Sequence, residues 1–544
     1  MINATVAATL VRYLREFGID TVFGIPGLYN MPLFEALREA DLRVVAVRHE
    51  QGAAFMADGF ARATGRPAAV VTLPGCGVLN AMTGLSEAYA DSTPVLLLSA
   101  QVATPHIDRD RGLLHELTGQ FEVVDSVMKH SERLHRAADT LAVVQRALGA
   151  LGEGRPRPVQ IEVPLDVQGE LVSAPAACGL RWDERPRLRL DARATMALDR
   201  GVGAVAMAKR PLVIAGGGVA ASGAAAELTA FAELLGAPVL TTGMGVGSIP
   251  GDHPLTCGVS WIASADVTGL VGTADAVVAV GTRFNQGMTA DWQLPMPATT
   301  LRIDVDPVEI ERNIPTSYQV VGDAKLALTT AIEQLRLRGV DRAGKVDDAM
   351  AQAHEEYRAA HRRRVGSSRP WFEALRSALP EDTVVAADMS LFWADLLGSF
   401  PVSAPRQVLF PWGMGTLGFG VPAAIGAKLG GGGRPVVSII GDGAFQFTGS
   451  ELGTAVEHEL ALPFIVANNN AYGMIKMQQR DRYGADVAVD LPAPDFVALA
   501  KAYGAHGVLV RHPEDLGPSL AKAFAANGPT VIEIPWGTTF SVPD

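Results

Sequence analysis

The chain has 544 residues, 48% of them apolar and 19% charged, with a formal net charge of -12. That length exceeds what one core accommodates and suggests about three domains, while an acidic globular composition argues against nucleic acid as a partner. Cys76, Cys178 and Cys257 are odd in number and scattered, without metal-ligand spacing or a disulfide framework, which points to a reducing, cytoplasmic setting.

The amino terminus, MINATVAATLVRYLREFGID, places Val6, Leu10, Val11, Leu14 and Phe17 at helical spacing, interrupted by Arg12, Arg15 and Glu16. An amphipathic helix is expected there, not a signal peptide. No later segment offers about eighteen uninterrupted apolar residues, so no membrane span is expected. Helical patterns then alternate with the β-rich runs TVFGIPG, LRVVAVRH, AAVVTLPG, PVLLLSA and PVQIEVP, as in a parallel sheet covered by helices. The proline-punctuated SAPAACGLRWDERPRLRL reads as a linker.

A second α/β unit follows, with the strands PLVIAGG, PVLTT, AVVAVG and TTLRIDVD. Gly216, Gly217 and Gly218 after its first strand could admit a nucleotide phosphate, but no acidic residue is clearly placed to grip a ribose, and a tight turn in an open sheet is the favoured reading. The charged GKVDDAMAQAHEEYRAAHRRRVG reads as a solvent-facing connector. TVVAAD, VVSIIGDG, LPFIVANN and TVIEIP give a third unit. The expected fold is α/β, with three doubly wound parallel-sheet domains over 1–170, 190–338 and 365–544.

A Gly-Asp-Gly such as 441–443 is on its own a turn, since glycine tolerates positive φ and Asp caps helices. Here VVSII precedes Gly441 and LPFIVA precedes Asn468, so Asp442 and Asn469 stand at the carboxyl ends of two strands, where open α/β sheets bind ligands. One carboxylate and one amide make a poor zinc site but suit Mg2+, which takes oxygen ligands and keeps positions for phosphate oxygens. The backbone amides of Gly443 and Ala444 are placed to cap a diphosphate.

From Gly441 through Asn469 the sequence resembles the cofactor motif, GDG followed by a double Asn, of the thiamine-diphosphate enzymes of the acetolactate synthase and 2-oxo acid decarboxylase group. The resemblance implies that Asp442, Asn469 and the Ala471 carbonyl hold Mg2+, and that Tyr472, Gly473 and Met474 close over the diphosphate. It covers nearly the whole chain. VRHEQGAAFMADGFARATGRPAAVVTLPGCGVLNAMTGLSEAYADSTPVLLLSAQ resembles the pyrimidine-binding domain and puts the activating glutamate at Glu50. GTLGFGVPAAIGAKLG is similar to the segment supporting the bent cofactor, with the bulky residue at Leu417 and further cofactor contacts at Gly415 and Ser390. TTGMGVGSIPGDHPL, VGTRF and LRIDVDPVEI resemble the central domain, which holds FAD in some members; nothing in this sequence supports FAD here. In this family Glu50 and the diphosphate clamp meet across a subunit interface, which implies a homodimer at least and usually a homotetramer.

The implied activity is nonoxidative decarboxylation of a 2-oxo acid through an enamine intermediate, a carboxy-lyase reaction with carboligation as an added outcome. The alternative is an acetolactate-synthase-type transferase condensing two 2-oxo acids; an FAD-dependent oxidase and a noncatalytic homologue come after it. In RGLLHELTGQ, His115 and Glu116 stand where simple decarboxylases carry His-His and acetolactate synthases Phe-Gln, and they are expected to donate the proton that releases an aldehyde. Two acids usual in pyruvate decarboxylases are absent, replaced by Leu28 and Ile475, whereas Met474 and MKHSERL resemble synthases. Related enzymes acting on guanidino 2-oxo acids offer an acidic residue near Met474; this chain does not. Leu28, Met474 and Ile475 are therefore expected to line an apolar substrate pocket. Lys476 and Arg480 are candidates for the substrate carboxylate, or simply exposed helix charges.

Overall fold

The structure is a computed structural model that describes residues 1–260, 264–364, 368–397, 400 and 402–537; of the third expected domain, 365–367, 398–399, 401 and 538–544 lie outside the described residues. The described residues divide into two compact units, one comprising those of 1–186, 383–393 and 409–537, the other those of 187–382 and 394–408.

The larger unit contains two six-stranded sheets. The amino-terminal sheet runs Arg43–Ala46, Thr21–Gly24, Ala68–Thr72, Val95–Gln101, Val159–Pro164, His130–Arg133 in space, with every neighbouring pair parallel. The carboxy-terminal sheet runs Val408–Leu409, Val384–Ala387, Val436–Gly441, Pro463–Asn468, Thr530–Pro535, His506–Leu509. Numbered by position in the chain, both orders are 2-1-3-4-6-5, with the order reversing between the first and third strands. Loops leaving the carboxyl ends of strands at such a reversal form a natural ligand crevice. The central strands are buried on both faces and read as apolar runs because helices cover both sides.

The two sheets share one core through the helices Glu50–Thr64 and Gly420–Gly430. A side chain at Gly59 would collide with the Ala423 carbonyl, and one at Gly426 with the Met56 carbonyl, so glycine at both positions permits the backbones to approach. The expected amino-terminal helix spans Val6–Phe17, capped by the Thr5 hydroxyl and by Gly18 at φ 105°. The stretch read as a linker is not a free tether. Leu171–Ala174 pairs antiparallel with Ile2–Thr5, Cys178 and Trp182 are buried, and the Trp182 indole donates to the Gly65 carbonyl at 2.8 Å.

The second unit holds the central sheet, ordered 3-2-1-4-5-6 by chain position. Gly216 and Gly218 pack against Gly281, and side chains there would collide with its backbone, which accounts for these glycines as a close approach. The charged segment read as a helical, solvent-facing connector is the helix Asp348–Arg364, but it does not face solvent throughout: Met350, His354, Tyr357 and His361 are buried. His354 Nε2 lies 2.7 Å from the Thr256 carbonyl and the Tyr357 hydroxyl donates to the Val259 carbonyl at 2.9 Å, so this helix covers the edge strand Thr256–Ser260. Its abundant charges mask the apolar positions from a composition-based reading. Among the described residues no helix is long and apolar enough to cross a membrane.

Candidate functional site

Next to the reversal point of the carboxy-terminal sheet, its third and fourth strands, Val436–Gly441 and Pro463–Asn468, run side by side with Gly441 level with Ala467. This register brings Asp442, the first residue of the next helix, beside Asn469. The Ala471 amide donates to Asp442 Oδ2 and to Asn469 Oδ1, both at 3.2 Å. Asn470 takes φ 55°, turning the chain back, and the turn is braced by Tyr472 N–H to the Val489 carbonyl at 2.9 Å and Leu491 N–H to the Asn470 carbonyl at 2.8 Å. Glycine is required on both flanks: a side chain at Gly443 would press 2.8 Å from the Tyr472 ring, and one at Gly473 would collide with the Asn469 amide. Ser390 adjoins Gly441, with its hydroxyl accepting from Trp393 N–H at 3.1 Å.

Burial pushes the Asp442 carboxyl above its ordinary range, opposed by backbone N–H groups of Asn469, Gly443 and Ala471. A buried carboxylate met by amide dipoles, beside an amide oxygen and a backbone carbonyl of the same turn, is an oxygen-rich set of single charge. It fits a hard divalent cation carried in with a diphosphate.

Asp388 was not among the residues singled out from sequence. It follows the buried strand Val384–Ala387 and accepts N–H bonds from Met389 and Gly420, both at 2.8 Å, while burial pushes its carboxyl up to about 7. The signal was available, since Asp388, like Asp442, stands at the carboxyl end of a buried strand, where open α/β sheets bind ligands. Gly415 takes φ 66° and Gly418 φ 88°, and half-buried Leu417 between them packs on the shared core.

In the amino-terminal half, the first turn of the helix Cys76–Ala90 organises the candidates. Glu50, buried at the start of its own helix, accepts from Asn80 Nδ2 at 2.9 Å through Oε2, while Oε1 lies over Gly77, where a side chain would press to 3.2 Å. His115, at φ 60°, has Nδ1 3.2 Å from the Cys76 sulfur and its ring edge-to-face with Tyr29. Glu116 does not pair with His115: its Oε2 accepts N–H bonds from Arg111 and Leu113, each at 2.9 Å, closing its own loop. Gln120, buried, fastens this loop to the sheet through Gly75 N–H, the Ala100 carbonyl and Glu162. Asn80, Cys76 and Gln120 were invisible in sequence because ordinary helix and loop positions carry no distinctive spacing.

Leu28 is 52% exposed and Ile475 48%, with Met474 partly buried. Lys476 forms an ion pair with Asp490, and Arg480 with Asp486, so both cations are occupied on the chain itself.

Three family models match the chain: the thiamine pyrophosphate enzyme N-terminal TPP binding domain over residues 4–125, the central domain over 198–331, and the C-terminal TPP binding domain over 389–534. A probable 2-ketoarginine decarboxylase, AruI of Pseudomonas aeruginosa, is 37% identical over 540 residues, spanning 97% of this chain and 94% of its own. A probable acetolactate synthase large subunit of Methanocaldococcus jannaschii is 32% identical over 97% of this chain and 91% of its own, and the acetolactate synthase isozyme 3 large subunit of Escherichia coli 32% over 95% and 92%.

Proposed function

This chain belongs to the thiamine pyrophosphate enzyme family, and on that premise we propose that it decarboxylates a 2-oxo acid without oxidation, releasing an aldehyde or passing the carbon unit to a second carbonyl. The observation that carries this reading is the Asp442–Asn469–Ala471 turn, in which the Asp442 and Asn469 side-chain oxygens meet at the Ala471 amide at the ends of two adjacent parallel strands. When bound, thiamine diphosphate supplies the nucleophilic carbon and the electron sink that decarboxylation of a 2-oxo acid demands.

Asp442, Asn469 and the Ala471 carbonyl would hold Mg2+, and Gly443 and Ala444 N–H groups would meet the diphosphate. Glu50 would exchange a proton with the cofactor's pyrimidine through Oε1, because Asn80 occupies Oε2 and Gly77 leaves Oε1 uncrowded. Leu417 would support the folded cofactor, with Ser390, Gly415 and Tyr472 to Met474 around it. His115, in its loop, is held by Tyr29 and by Cys76, which opens the helix that also carries Glu50's partners, and would deliver the proton that frees an aldehyde. Glu116 serves that role through its loop, by setting the backbone on which His115 is carried. Leu28, Met474 and Ile475 would face the substrate, giving preference to an apolar 2-oxo acid.

Glu50 and its partner Asn80 belong to the amino-terminal domain and Asp442 to the carboxy-terminal one; on the family's pattern the proposed assembly is a homodimer, itself paired into a homotetramer, in which one chain's Glu50 completes its partner's clamp. Three free thiols agree with a cytoplasmic setting. The acetolactate-synthase-type condensation is the second reading, favoured by the likeness to synthase large subunits. Supplying the Mg2+- and cofactor-loaded protein with a panel of 2-oxo acids, with and without an acceptor, and reading products by NMR separates them: aldehyde supports decarboxylation, acetolactate or another 2-hydroxyketone supports condensation, and an unconsumed panel rejects both. An FAD-dependent oxidase would be yellow and would consume oxygen.

A further inference from the structure

Two buried glutamates that no catalytic role claims, Glu87 and Glu451, direct their carboxylates at the backbone of the other half of the larger unit. Glu451 follows the helix that begins at Asp442. Its Oε1 accepts N–H bonds from Arg48 and His49, each at 3.0 Å; its Oε2 accepts from Arg48 N–H at 3.2 Å and from the Thr454 hydroxyl at 2.7 Å. Arg48 and His49 immediately precede Glu50. A side chain at Gly52 would collide with the same carboxylate, so the first turn of the Glu50 helix is fitted around it.

Glu87 makes the converse contact. It lies on the helix Cys76–Ala90, two turns beyond Asn80, and its Oε1 accepts from Gly413 N–H at 3.0 Å and Met414 N–H at 3.3 Å. Its Oε2 accepts from Thr416 N–H at 3.4 Å and the Thr416 hydroxyl at 2.8 Å. Neighbouring groups extend the grip: Asp91 accepts from Trp412 N–H at 2.9 Å, and Arg62, paired with Asp58 and Asp91, donates to the Phe410 carbonyl at 2.9 Å. The gripped segment ends one residue before Leu417.

Burying a carboxylate is costly, and a well-packed apolar residue would hold two elements together as firmly. What a carboxylate adds is direction: several N–H donors converge on two fixed oxygens, defining the backbone position closely. Resting on the assignment of Glu50 and Leu417 as cofactor-facing groups, we propose that Glu451 and Glu87 are reciprocal positioning residues, Glu451 fixing where Glu50 stands and Glu87 fixing the turn that delivers Leu417.

The test compares full-length Glu451→Gln and Glu87→Gln with the unchanged protein and with Glu50→Gln. Each amide keeps the side-chain shape but turns an N–H2 toward N–H donors. In Glu451→Gln, exchange of the bound cofactor's C2 hydrogen should slow by about tenfold or more, since small displacements of a reacting group cost that much. Its affinity for thiamine diphosphate with Mg2+ should stay within about threefold, and amide hydrogen-exchange protection should be lost at Arg48 and His49 but kept at 413–416. In Glu87→Gln the pattern inverts: the dissociation constant should rise about tenfold or more, and protection should be lost at 413–416. Thr454→Val and Thr416→Val each remove one hydroxyl bond to these carboxylates and should shift the same readouts in the same directions by less. If the glutamine variants do not fold, flat results for the two valine variants overturn the proposal. It is equally overturned if both glutamine variants only lower the thermal midpoint, or if they share one signature. Wild-type exchange in Glu50→Gln would overturn the role given to Glu50 and this proposal with it; a slowed Glu50→Gln beside an unaffected Glu451→Gln would overturn the grip alone.

Discussion

The amino-terminal and carboxy-terminal sheets share one strand order, yet each presents its principal carboxylate in a different way. Asp442 stands at a strand end, within a turn whose backbone amides surround it. Glu50, which like Asp442 opens a helix, is reached by a side-chain donor, Asn80. A fold fixes where loops emerge, and the loops decide the chemistry. Backbone donors hold a charge in place, as an anchor for a cation requires; a lone amide partner leaves one carboxyl oxygen available to trade a proton.

That contrast can be broken from either side. The largest effect is expected for Asp442→Ala: Mg2+-dependent retention of thiamine diphosphate should disappear in titration calorimetry, and normal binding would move the clamp elsewhere. Glu50→Gln should retain cofactor but slow C2 exchange by about 10²- to 10⁴-fold, the usual weight of a positioned acid or base; exchange at the wild-type rate in loaded protein would remove Glu50 from the proton path.

Asp388 sharpens the comparison, because backbone amides hold it as they do Asp442. Its folded-state carboxyl is pushed up to about 7, against about 3.9 in an unfolded chain. The folded protein therefore holds a proton that the unfolded chain releases between those values, so this contribution is complete below pH about 4 and is lost as pH rises towards 7. Asp388→Asn should flatten the pH dependence of the unfolding free energy from urea titration across that window by roughly 1 to 4 kcal/mol, at about 1.4 kcal/mol per pKa unit; parallel curves for variant and wild type would contradict it. Asn80→Leu, which leaves Glu50 without its side-chain donor, should lower kcat about tenfold with little change in cofactor affinity. Lys476→Gln should be the mildest. Its partner Asp490 is exposed, such pairs contribute about 0 to 1 kcal/mol, and the Michaelis constant for the 2-oxo acid should stay within about twofold. A large rise in that constant would return Lys476 to the substrate site.

Where the sequence reading of the fold failed, it failed at the margins. Five of the six sheet edges escaped it: His130–Arg133, Thr256–Ser260, Tyr318–Val321, Val408–Leu409 and His506–Leu509. Interior strands are apolar on both faces and announce themselves, whereas an edge strand is short and half-solvated, or else covered by a helix such as Asp348–Arg364 whose charges suggest a surface. The same distinction applies to His115 and Glu116. Their place in a loop was readable, but Cys76 and the Arg111 and Leu113 amides as their partners were not.

By itself, then, the sequence determined the three-sheet α/β class and the family, and it nominated candidate cofactor-facing positions, because periodicity and motif spacing are properties of neighbouring residues. Only the tertiary structure decided what holds those positions: Glu451 against residues 48–49 and Glu87 against residues 413–416 join segments hundreds of residues apart. Every non-proline residue carries the N–H group that such a carboxylate seeks, so no side-chain pattern marks the recipient, and the pairing exists only once the two cores have packed.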